Sequence, residues 1–127
     1  MADVVKMVNG GLAILTNRII GAGTEPKFIG WGTGATPADV LNTGLQTARG
    51  EARTSGTSSR VVGTVANDTY QVVGTIVCAS TAAAITEIGL FDASTAGNLF
   101  IRGTFDVINV NVGDSITFTV QSRYAQA

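Results

Sequence analysis

The chain has no histidine and one cysteine, Cys78. A zinc site needs four nitrogen, sulfur or oxygen donors, most often His and Cys, and almost nothing here supplies them. Ser, Thr and Cys nucleophiles are commonly activated by a neighbouring His, which this chain cannot offer. One Cys forms no intrachain disulfide, so stability must come from packing or association. Cys78 ends the apolar run Val72-Val73-Gly74-Thr75-Ile76-Val77 and reads as a small buried hydrophobe. Charge is also scarce. Charged residues make up 13% of the chain, about half the share in ordinary soluble domains, ~25%. The eight basic residues, Lys6, Arg18, Lys27, Arg49, Arg53, Arg60, Arg102 and Arg123, are scattered, and net charge is −1. No basic stripe forms, so nucleic-acid binding is not expected. No apolar run reaches the ~18 residues of a membrane span. The start, Met1 to Lys6, lacks the pattern of a secretion signal, and assembly in a bacterial cytoplasm is the expectation.

Other chemistry is equally thin. Asp and Glu are dispersed without EF-hand spacing, and Asp92, Asp106 and Asp114 fit turns better than a calcium site. Gly30-Trp31-Gly32-Thr33-Gly34 lacks the Lys-Ser/Thr ending of a phosphate loop. No pair of carboxylates stands out for acid–base work. The expectation is therefore no catalytic residue, no metal, no cofactor, no small-molecule substrate and no enzyme activity. Glu87 lies in an apolar stretch, where a carboxylate needs a partner. Arg102, on the next expected strand, is the candidate for a cross-strand pair.

What the chain does have is apolar surface. Hydrophobic residues reach 45% with little charge to accompany them, a combination that points to assembly. One domain of 127 residues is expected, divided into an N-terminal helix and arm over 1–24 and a β-sandwich over 25–127. Asp3 to Ile20 reads as the one sizeable helix, with Val4, Val8, Leu12, Leu15 and Ile19 on a single stripe and Asp3 as cap. Gly10 and Gly11 weaken its middle by roughly 1 kcal/mol each. A hairpin turning at Asn9-Gly10-Gly11 is the competing reading. Thr36 to Leu41 is a short helical turn at most. Leu45 to Ser59 is polar and small, and within it Thr54–Ser59 reads either as an ordinary flexible connection or as an arm that orders only against a neighbour.

From Arg60 onward the pattern is β. Tyr70, Val72, Gly74, Ile76 and Cys78 alternate onto one face, and Ile116, Phe118 and Val120 do the same near the end. Ile85–Phe91 and Leu99–Phe105 flank a Gly/Asn-containing turn and read as a hairpin. Gly30, Gly32 and Gly34 leave one face of the Lys27–Gly32 strand bare for close approach. Six to eight short strands imply a mainly β fold, an antiparallel sandwich or jelly-roll-like barrel with one N-terminal helix.

The segments Ile29–Gly34, Thr69–Thr75, Ile85–Asp92, Gly97–Phe105 and Gly113–Ile116 resemble a family of short structural proteins of tailed bacteriophages. Its members are described as capsid cement (decoration) proteins and as tail-fibre proteins, and the resemblance spans most of Gly30 to Val120. It implies a β-rich virion component without catalysis. In the favoured form this is a homotrimer on the outer capsid surface that binds the major capsid protein and holds capsomers together. The alternative is a tail-fibre or tail-connector module. No heptads and no Gly-X-Y repeat suggest a fibrous shaft, and this favours the cement reading. The candidate interface is the stripe Val4, Val8, Leu12, Leu15 and Ile19 with Phe28 and Trp31, for which core packing is the competing explanation.

Overall fold

A computed structural model describes residues 3–125. In chain order it contains β1 (Val4–Met7), α1 (Asn9–Ile19), β2 (Phe28–Gly32), β3 (Thr54–Ser55), β4 (Thr57–Val61), β5 (Thr69–Val77), β6 (Ala83–Phe91), β7 (Leu99–Val110) and β8 (Ser115–Arg123). The strands make two antiparallel sheets, β1-β7-β6-β2-β3 and β4-β5-β8. They pack face to face as a sandwich rather than a closed barrel, because alternating side chains give each sheet one apolar face to bury. Ile29, Trp31, Ile85, Leu90, Phe100 and Ile101 from the larger sheet meet Val72, Ile76 and Cys78 from the smaller, and Ile14 of α1 joins them. A second cluster joins Val8, Phe91 and Leu99, with Phe28 and Leu45 against it.

The expected hairpin is β6 and β7, which pair from Ala83↔Val110 to Phe91↔Leu99. Its turn reverses through positive φ at Ala96 (51°) and Gly97 (72°). The Asp92 carboxylate accepts the Asn98 N–H at 2.7 Å and closes the turn. Gly113 (φ 96°) does the same work between β7 and β8.

Two expectations need correction. The N-terminal helix begins at Asn9, not Asp3. Val4–Met7 is extended, in register with β7 from Val4↔Thr104 to Met7↔Ile101, and so satisfies its backbone on the sheet. Val4 and Val8 are therefore not on the helix, and Asp3 caps nothing. The cap position is Val8, without a side-chain bond. The polar stretch Thr54–Ser59 is neither loop nor arm. It supplies edge strands β3 and β4, held by β2 and β5. Thr36–Leu41 stays within its expected limit: it holds a single hydrogen-bonded turn at Val40 and Leu41, closed by the Asn42 N–H on the Asp39 carbonyl at 3.0 Å.

Gly11 shows why a glycine stands inside α1. A Cβ there would lie 2.5 Å from the Phe100 carbonyl oxygen and 2.8 Å from Met7 Cγ. The helix lies directly on the β7 backbone, and only glycine permits that approach.

Candidate functional site

The best-built polar cluster is structural. Glu87 on β6 is fully buried and Arg102 on β7 is 1% exposed. Arg102 Nε donates to Glu87 Oε1 at 3.0 Å, which establishes the cross-strand pair. Arg102 Nη2 lies 3.0 Å from the same oxygen as a charge contact without hydrogen-bond geometry. The rest of the carboxylate is occupied by backbone N–H groups. Gly34 and Thr47 donate to Oε2 at 2.8 and 2.7 Å, and Gln46 donates to Oε1 at 2.8 Å. Arg102 Nη1 reaches on to the Thr36 carbonyl and to Asn42 Oδ1. One ion pair thus fastens the long loop between β2 and β3 to the sheet. The bare faces of Gly32 and Gly34 serve this loop, since a Cβ on either would overlap Thr47 or Gln46 and the Glu87 carboxylate.

A second cluster surrounds Trp31. Its indole N–H donates to Glu51 Oε1 at 3.0 Å. Arg49 grips the same carboxylate through Nε at 3.2 Å and Nη2 at 3.0 Å, and the Ala79 N–H adds a third donor type at 3.2 Å. Partial burial raises the Glu51 pKa, but the hydrogen bonds from Trp31, Ala79 and Arg49 outweigh it and hold it down to about 2. Every polar arm of the cluster closes on the protein's own atoms, which describes a brace rather than a reaction centre. Cys78 is buried and donates to the Thr81 carbonyl at 3.0 Å. Among the described residues, no group of three His, Cys, Asp or Glu converges as metal ligands would, and no helix is long and apolar enough to cross a membrane.

The candidate interface residues separate in space. Val8 (1% exposed) and Trp31 (2%) are core side chains of the protomer. Phe28 and Leu15 are half-buried and pack against the core clusters. Val4 is half-buried on β1. Leu12 (57%) and Ile19 (75%), one turn pair apart on α1, face outward. Sequence periodicity missed Ile20 (77%), Leu41 (74%) and Val40 (44%), which are exposed near this helix and on the loop that bonds its start. Their only signal was position: apolar residues just past a helix end and in a polar loop, where no core claims them. The structure therefore brings together an exposed apolar face on α1, keeps Trp31 inside and leaves Phe28 half-buried.

A different apolar opening lies between β1 and β8. A cleft of about 340 Å³ is lined by Val5, Ile88, Phe105, Phe118 and Val120. It adjoins one of about 500 Å³ lined by Phe105, Val107, Ile108, Ile116 and Phe118. The smaller cleft is walled mainly by apolar side chains, whereas Asp3, Asp106, Thr117 and Thr119 also line the larger one.

Residues 25–125 match the family described as podophage GP4 fiber I protein gp80. No curated protein and no solved structure matches the chain.

Proposed function

This chain belongs to the podophage GP4 fiber I protein family, a family of phage structural proteins, and on that premise we propose that it is a non-enzymatic fibre module of the virion. The match over residues 25–125 is the observation that carries the reading. It covers β2 to β8, the body of the sandwich. The residues before it hold α1 and its exposed Leu12, Ile19 and Ile20. We assign the sandwich to the fibre body and the helix face to attachment on another virion protein. Burying such side chains yields ~25 cal/mol per Å², before the costs of association.

Capsid cementing is the second reading. Its support is a single compact sandwich without shaft repeats, which suits a cap on a shell as well as a unit of a fibre. In that case the partner is the major capsid protein and the place is the outer head surface. Labelled antibody against this protein, viewed on intact virions by electron microscopy, separates the two. Label confined to projections supports the fibre reading, and label spread evenly over the head overturns it. Replacing Leu12 and Ile19 together with Asp leaves the fold intact, because both side chains are exposed. It should remove the protein from particles, and unchanged incorporation would refute the attachment face.

A further inference from the structure

Strand β8 leaves one edge unpaired. Its nine residues pair with β5 in unbroken register, from Thr69↔Arg123 to Val77↔Ser115. It stands at the end of the order β4-β5-β8, and among the described residues no strand pairs with its other side. Natural edges are blunted by lysine, proline, a bulge or short length. This one has none of these: Ser115–Arg123 contains no Lys and no Pro, and its single charge is Arg123 at the far end. The inward row Ile116, Phe118 and Val120 is only half-buried and supplies apolar wall to both clefts.

We propose that this edge pairs with the same edge of a second copy, antiparallel about a twofold axis at Phe118. The occupant follows from self-complementarity. Directly opposed residues of an antiparallel pair share a face, so a register centred on Phe118 sets Ile116 against Val120 of the second copy and Phe118 against its equivalent. Each inward apolar side chain then meets an apolar one. On the outward face, Thr117 meets Thr119 of the second copy, and Ser115 meets Gln121. No like charges oppose each other. Arg123, the one charge on the strand, comes to lie opposite Gly113 of the second copy and so meets no like charge. A three-stranded sheet becomes six-stranded, and the clefts beside β8 gain a second apolar wall. A charged or lysine-rich partner would find no counterpart on this edge.

The twofold pair differs from the threefold assembly implied by the phage resemblance, and the mass in solution tells them apart. The purified protein should run as a dimer by light scattering and native mass spectrometry. Chains carrying Thr117→Lys and Thr119→Lys set like charges across the edge and should become monomers that keep the wild-type circular dichroism spectrum but lose the concentration dependence of the wild-type melting temperature. Mixing them with Thr117→Glu/Thr119→Glu chains should restore a dimer of one of each. Mixed Thr117→Cys and Thr119→Cys chains should cross-link to each other on oxidation, while neither cross-links to itself. A trimer, a monomeric wild type, or a dimer indifferent to the charge pairs would overturn the proposal.

Discussion

Arg102 carries a full charge to a site 1% exposed, where only good partners make it tolerable. Its partner Glu87 accepts three backbone N–H groups as well, so losing either charge strands the other. Arg102→Met should cost about 3–5 kcal/mol in denaturant unfolding at neutral pH; a loss under ~1 kcal/mol would show that the loop is held by other means. Glu51 gives a pH test. Its folded pKa, about 2, lies below the usual 4.5, so the stability it contributes is fully present above pH 4.5 and lost as pH falls toward 2. The thermal advantage of wild type over Glu51→Gln should shrink across that window, whereas a constant advantage would contradict the depressed value. Tyr70 is a third case, its hydroxyl pushed up by burial and by donating to Glu25 at 2.8 Å. None of these groups was legible as a brace in the sequence except the Glu87–Arg102 pair, because only there do charge and apolar strand context coincide.

Elements whose pattern is set locally were legible, and those set by distant pairing were not. β5 and β8 alternate, because one face of each is buried, while β6 and β7 were legible from the turn between them. β1 was hidden because Val4 and Val8 fit a helical stripe as well as a strand, and only β7, about a hundred residues away in sequence, decides between them. β3 and β4 were hidden for a related reason: edge strands with solvent on one face carry polar residues such as Thr57, Ser58 and Ser59. The same long-range logic governs α1. Gly11→Ala should destabilise the protein by about 1–3 kcal/mol through overpacking against Phe100. At Gly10 the nearest atom to a new Cβ is the Leu99 oxygen at 3.4 Å, so Gly10→Ala should fall within ~0.5 kcal/mol of wild type. Thermal unfolding of the two variants side by side checks this. Equal effects would mean that helix propensity, not contact with β7, governs α1.

At the scale of the whole molecule, the polar clusters face inward while the apolar excess faces outward. Glu87, Arg102, Glu51 and Trp31 all spend their hydrogen bonds on the chain itself, whereas Leu12, Ile19, Ile20 and Leu41 stand in solvent. Such a molecule gains by being covered, and repeated copies on a particle multiply a modest contact into firm attachment. The sequence composition already pointed that way through its low charge. What composition could not separate was which apolar residues close the core and which remain for a partner, since Trp31 and Leu12 look equally available until the sheets are assembled. The most direct test of the fibre assignment is the number of copies per virion, counted by quantitative mass spectrometry against the major coat protein. A small fixed number, far below that of the coat, is the predicted result. Near parity with the coat, or absence from purified particles, would contradict it.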